Sequence, residues 1–156
     1  MTPEDLKVIQ ERFTLKHEDE VSRIYTGNDS NVIICQMLQS YTEIDNFKAM
    51  LYKKAELIEQ YGCDLFVFDK RSIRGFHQPS MEWYYLEWKP EMYRRFGLRV
   101  HRKLFTTETW FLKCIEAGRA EIKRRDPGSI VHTMDITIVD TIAQAIDPKF
   151  AGRKYG

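Results

Sequence analysis

Several protein classes are excluded by what this chain does not contain. No run of apolar residues approaches the ~18–20 that a membrane-spanning helix needs. The opening MTPEDLKVIQERF has neither the basic start nor the apolar stretch of a secretion signal, which leads us to expect a cytoplasmic protein. The 3 cysteines, Cys35, Cys63 and Cys114, stand far apart with no C-x-x-C spacing. That pattern argues against a disulfide framework or a zinc knot and leaves buried thiols in a reducing compartment. The 4 histidines, His17, His77, His101 and His132, are isolated from one another and from the cysteines, so no metal site is expected. A phosphate-cradling G-x-x-x-x-G-K-[ST], an H-E-x-x-H and a G-x-S-x-G are all missing, so no motif points to a nucleotide, a zinc hydrolase or a serine hydrolase. The expectation is a chain without cofactors. No internal repeat and no low-complexity segment is present.

What is there reads as one domain over residues 1–156, with 43% hydrophobic and 30% charged residues. The net charge of +1 hides an uneven distribution. Residues 1–69 carry 7 Lys/Arg against 13 Asp/Glu, whereas residues 70–125 carry 14 against 6. The basic part holds Arg94, Arg95, Arg99, Arg102, Lys103, Arg119, Lys123, Arg124 and Arg125 with aromatics between them. No helix-turn-helix or RNA-recognition signature accompanies them, so the better reading is a solvated basic face without a nucleic-acid partner.

Along the chain, Thr2-Pro3-Glu4-Asp5 makes a helix start, and the helix is expected to reach about Phe13 as an N-terminal extension over residues 1–15. Gly27-Asn28-Asp29-Ser30, flanked by extended segments, predicts a β-hairpin. Val32–Cys35 is apolar on both faces, as in a central strand. The stretch SYTEIDNFKAMLYKKAELIEQYG holds the clearest helix, with Thr42 and Asp45 as a capping-box-like start and Gly62 as the C-terminal cap. Leu65–Phe68 is again apolar without alternation, so the strand–helix–strand order implies a parallel pair. A helix follows from Pro79, with a kink or break at Trp88-Lys89 imposed by Pro90. A strand over LRVHRKLFT, a long helix capped by Thr106 or Thr107, a short edge strand in IVHTMDI, a helix in TIVDTIAQAI and a loose tail over residues 147–156 complete the reading. This alternation is the signature of an α/β sandwich.

The segments CDLFVFDKRSIRG and EWYYLEWKPEMYRRFGL carry a resemblance. A strand ending in Asp69, a basic loop, and a helix bearing Trp83, Trp88 and Pro90 resemble the small bacterial STAS-like proteins of the SpoIIAA-like fold, related to anti-sigma-factor antagonists. The resemblance covers roughly residues 20–146. It implies a mostly parallel central sheet with packed helices, here preceded by the N-terminal helix and the hairpin. It also implies a non-enzymatic binding module in bacterial signalling or regulation. The related antagonists place a phosphorylatable serine after an Asp at the start of the next helix. The nearest residues here, Ser72 and Ser80, follow no Asp, which weakens the phosphorylation reading.

The stretch from Asp69 to Trp83 holds the candidate site, because a strand's carboxyl end followed by a loop and a helix start is where open α/β sheets bind ligands. Asp69, Arg71, Arg74, His77 and Trp83 are the candidate ligand-binding residues, for a small apolar or anionic ligand. Asp69 could orient one guanidinium and leave the other for an anion, or simply tie the loop down by accepting backbone N–H bonds. Asp69, His77 and Glu82, with Ser72, are the only set that could support catalysis, and no recognised constellation joins them, so a binding protein is expected rather than an enzyme. Met81, Tyr84 or Tyr85, Trp88 and Met92 form one helical stripe expected to pack on the sheet, with Trp83 off it. The aromatic load is also compatible with a homodimer or a protein partner.

Overall fold

The chain's first three turns of structure follow from local chemistry. In the computed structural model, which describes residues 1–75 and 77–154, the Thr2 hydroxyl accepts the Asp5 N–H at 3.1 Å and the Asp5 carboxylate accepts the Thr2 N–H at 3.2 Å. Helix α1 (Pro3–Arg12) therefore opens on a complete capping box. It runs straight into β1 (Phe13–Glu18), so the helical extension expected over residues 1–15 is corrected: the helix ends at Arg12 and a strand begins at Phe13. β1 is an edge strand with mostly exposed side chains and a register shift between Leu15 and His17, so its hydrophobic signal is weak.

The hairpin at Gly27–Ser30 forms as expected, joining β2 (Ser22–Gly27) to β3 (Val32–Met37) in antiparallel register. Helix α2 (Ile44–Tyr61) ends at Gly62, whose φ of 67° is the left-handed cap that glycine adopts without strain. Its N-cap is Glu43 and makes no side-chain bond, so the expected Thr42–Asp45 box does not form. After β4 (Leu65–Lys70) comes one long, irregular helical run: α3 (Gln78–Trp83), a π-helical stretch over Tyr84–Trp88, and α4 (Lys89–Phe96). The Lys89 N–H bonds the Tyr84 carbonyl, five residues back. The expected break beside Pro90 is thus taken up as one wide turn, and the helix axis continues. Next are β5 (Val100–Phe105), α5 (Thr109–Arg125), β6 (Asp135–Ile138), α6 (Ile142–Ile146) and the two-residue β7 (Arg153–Lys154). Glu108, not Thr106 or Thr107, occupies the α5 N-cap. The tail expected to be loose supplies β7, which covers the outer edge of β6.

Among the described residues the sheet has 7 strands, in the order of the sequence. The pairings β3–β4, β4–β5 and β5–β6 are parallel, while β1–β2, β2–β3 and β6–β7 are antiparallel. The expectation of a mostly parallel sheet is corrected on this point: the sheet is mixed. Antiparallel pairs extend both ends of a parallel centre, and neither the exposed β1 nor the two-residue β7 carries a pattern long enough to announce itself.

Strand order then decides where the helices go. Each parallel step advances to the next strand in the same direction, and right-handed crossovers place every connecting helix on one face. α2, the α3–α4 run and α5 accordingly pack on that face, over Ile33, Cys35, Phe66, Phe68 and Ile136. The other face is covered by α1 and α6, whose Ile9, Ile142 and Ala145 meet Ile34, Val67 and Leu104. The stripe of Met81, Tyr84, Tyr85, Trp88 and Met92 is buried against the sheet, as its spacing predicts. No helix among the described residues is long and apolar enough to cross a membrane.

Candidate functional site

Alternation along β4 divides the expected site in two. Phe66, Phe68 and Lys70 point to the α2–α5 face, whereas Val67 and Asp69 point to the α1–α6 face. Asp69 therefore turns away from the loop's helix side. Arg71 reaches it with Nε at 2.9 Å from Oδ1 and Nη2 at 2.9 Å from Oδ2, and places Nη1 2.8 Å from the buried Asp5 of α1. Asp69 also accepts the Arg71 N–H at 3.1 Å, and Asp5 accepts the Ile142 N–H of α6 at 2.9 Å. Burial works to raise the Asp5 pKa, but the Ile142 N–H and the Arg71 guanidinium outweigh it and hold the carboxyl below its ordinary range. The same two carboxylates push the Arg71 pKa further up against the opposing effect of burial. Asp69 and Arg71 thus form a clasp between β4, α1 and α6.

The other candidates fall elsewhere. Arg74 is exposed; its Nη1 donates to the Arg71 and Ile73 carbonyls at 2.7 and 3.0 Å, and its Nε lies 3.8 Å from Glu108. Ser72 donates to the Met37 and Gln39 carbonyls at 2.8 and 3.1 Å, pinning the loop to the end of β3. Trp83 is half-buried, edge-on to Phe47 and Tyr52 with centroids 6.1 and 5.7 Å away, and packs α3 on α2. Ser80 is buried and 2.8 Å from His77 Nδ1, so a phosphate there would have to displace the imidazole. Glu82 pairs with Arg125 of α5. The structure therefore does not gather Asp69, His77 and Glu82 into one catalytic group. Much of the basic region is also accounted for: Arg102 pairs with Asp135 at 3.1 Å, Arg124 with Glu121, and Lys103 is buried.

What the structure does bring together is a cavity of ≈60 Å³ at the carboxyl ends of β3, β4 and β5. Met37, Phe47, Phe105, Phe111 and Ile115 supply apolar wall; Tyr41, Thr42, Lys70, His77 and Ser80 supply the polar groups. Two loops bound it. The Arg74 and Gly75 N–H groups both donate to the Ser40 carbonyl, at 2.7 and 3.0 Å, which holds the loop after β4 against the loop after β3. A Cβ at Gly75 would come within 2.7 Å of the Tyr41 ring, so glycine permits this close approach.

Lys70 is the central residue of this wall. It is the last residue of β4 and is buried, not part of the exposed loop that the sequence suggested. Its Nζ lies 4.8, 5.4 and 5.5 Å from the ring centroids of Phe68, Tyr84 and Phe105. Among the described residues no carboxylate forms an ion pair with it. Burial pushes its pKa down to about 7, with Arg119 adding to the effect and Cys35 opposing it. Beside it the Thr42 hydroxyl oxygen is buried and makes no hydrogen bond among the described residues.

Lys70 is one of several buried bases on this face. Lys54, in the apolar stripe of α2, lies over the Phe66 ring and 4.4 Å from that of Trp88. Lys89, at the start of α4, lies 4.2 Å from the Tyr85 ring, and Lys103 of β5 donates to the Tyr85 hydroxyl. His101 sits on the same face of β5 as Lys103, opposite Phe66. Burial drives the pKa of all four well below the ordinary range, and each is lowered further by neighbouring cations. Positional spacing could have located them. Lys54 falls in register with Met50, Leu51, Leu57 and Ile58, and Lys70 follows Phe66 and Phe68 by twos.

A larger hollow of ≈350 Å³ beside β6 has Asp140 and Arg153 on its wall, but these pair with each other at 3.1 Å. Comparison with protein-family models, curated proteins and solved structures finds no match to this chain. The fold and the cavity define the class: a mixed α/β protein with an amine-bearing pocket at its strand ends.

Proposed function

We propose that this protein is a non-enzymatic ligand-binding module whose ligand occupies the cavity at the ends of β3, β4 and β5. The ligand is small, mostly apolar, and carries one polar or anionic group that meets Lys70 and Thr42. One observation carries the reading: Lys70 is buried on the cavity wall, which also holds a buried Thr42 hydroxyl, and among the described residues Lys70 has no ion pair and Thr42 no hydrogen bond. Burying such groups unsatisfied is costly, and a ligand supplying an acceptor removes that cost. An anionic group would raise the Lys70 pKa and bind with uptake of a proton, so its affinity falls as pH rises through 7. The role in bacterial signalling rests on the STAS-like resemblance and is part of the same proposal.

The test is a fragment screen by NMR on the whole chain, with Lys70→Met and Thr42→Val as controls. Small carboxylates or polar-ended apolar fragments are expected to shift signals of Thr42, Lys70, Ser80 and Met81, and Lys70→Met is expected to abolish the response. Fragments that shift only residues elsewhere would remove the reading. A protein-docking role has its own support in exposed Tyr41 and Trp110, which follow β3 and β5 at this same end. Self-association through them would appear in sedimentation as a dimer that Tyr41→Ser or Trp110→Ser dissociates.

A further inference from the structure

We propose that Lys70 captures small aldehydes or ketones in this cavity as a reversible imine. The proposal rests on the ligand-binding reading of the same cavity and adds a covalent step to it. A lysine forms an imine only as the free amine, and burial beside other cations keeps an amine free even where aromatic faces favour its charge. The groups facing Lys70 meet that condition. Arg119 of α5, Lys103 of β5, Lys89 of α4 and Lys54 of α2 are basic. Cys35 of β3 is a thiol whose pKa burial pushes up to about 12, and so it offers no anion at neutral pH. His77 completes the set from the loop. The three aromatic rings around Nζ and the apolar wall beyond them suit the alkyl part of a small carbonyl compound.

The chemistry balances without any further reactant. The Nζ lone pair forms a C–N bond to the carbonyl carbon as the C=O π bond opens; a proton passes from nitrogen to oxygen to give the carbinolamine. Protonation of that hydroxyl lets it leave as water, and the nitrogen lone pair closes the protonated imine. Nothing is oxidised or reduced, and hydrolysis reverses the sequence. His77 and Ser80, 2.8 Å apart on the same cavity wall, are placed to relay the proton. Lys54 and Lys89 are as deeply buried, but neither is on the cavity wall.

The experiment treats the intact protein at pH 7 with propanal and sodium cyanoborohydride, which reduces an imine to a stable propyl amine, and maps the modified peptides by mass spectrometry. Lys70 is expected to be alkylated on the order of tenfold faster than exposed Lys7 and Lys113, because about half of its amine is free at that pH, against well under about 1% of an ordinary lysine's. Lys54→Met is expected to leave that labelling in place. Labelling of Lys7 and Lys113 with Lys70 spared overturns the proposal. Propan-1-ol and propanoate, which cannot form an imine, separate the two readings. If they shift Ser80 and Met81 signals while propanal spares Lys70, the imine falls and ligand binding stands. If neither has an effect at the cavity, both fall.

Discussion

On the α1–α6 face of the sheet, Asp5, Asp69 and Arg71 are buried together, and the guanidinium bonds both carboxylates at 2.8 to 2.9 Å. On the α2–α5 face, Lys54, Lys70 and Lys89 are buried with aromatic rings around them and, among the described residues, no carboxylate in an ion pair. The first arrangement keeps charge in the interior by pairing it. The second keeps polar atoms there by letting them give up charge. A clasp of paired groups is satisfied as it stands and holds three elements in register. Amines packed without carboxylates weaken the fold, and of these three only Lys70 lies on the cavity wall, where the proposed ligand would meet it.

Breaking the clasp has the largest expected effect. Arg71→Met leaves two buried carboxylates without a cation and is expected to cost about 3–5 kcal/mol, read as a lower urea midpoint. The opposite face responds to pH in a way the clasp does not. An unfolded lysine holds its proton up to its ordinary pKa, whereas folded Lys70 releases it near 7, so the unfolded state binds more protons between those values. Stability therefore rises with pH across that window. From pH 7 to 8, below the ionisation of unfolded thiols, Lys70 alone accounts for about 1 kcal/mol, and Lys70→Met is expected to remove that share of the slope in pH-dependent denaturation. The same asymmetry sharpens under substitution. Lys54→Met keeps the aliphatic stem and drops the amine, and is expected to raise stability by about 1 kcal/mol or leave it unchanged in thermal melts. Thr42→Val is expected to change stability by less than about 0.5 kcal/mol while weakening fragment binding, since its hydroxyl has no hydrogen-bond partner among the described residues.

How far these faces could be read from the sequence depended on whether residue type and position agreed. The hairpin at Gly27–Ser30, the Gly62 cap and the stripe from Met81 to Met92 were legible because turn chemistry and helical spacing pointed the same way. At Lys54, Lys70 and Lys103 they conflicted: type argued for solvent, spacing for the core, and spacing prevailed. Asp69 was correctly placed at a strand end, but the alternative in which it ties down local structure describes it better than a ligand cradle. Arg71, which bonds Asp69, finds its second partner in Asp5, 66 residues away, a distance no local pattern spans. The mixed sheet escaped for a related reason, since β1 is exposed and β7 has only two residues.

The most direct test of the account follows the Lys70 side chain itself, by titrating its Cε and Nζ resonances in the labelled protein, assigned through Lys70→Met. The account predicts a midpoint near 7 in the free protein, rising when a small carboxylate fills the cavity. A midpoint at the ordinary lysine value, unmoved by ligand, would mean that Lys70 is solvated or paired, and would contradict it.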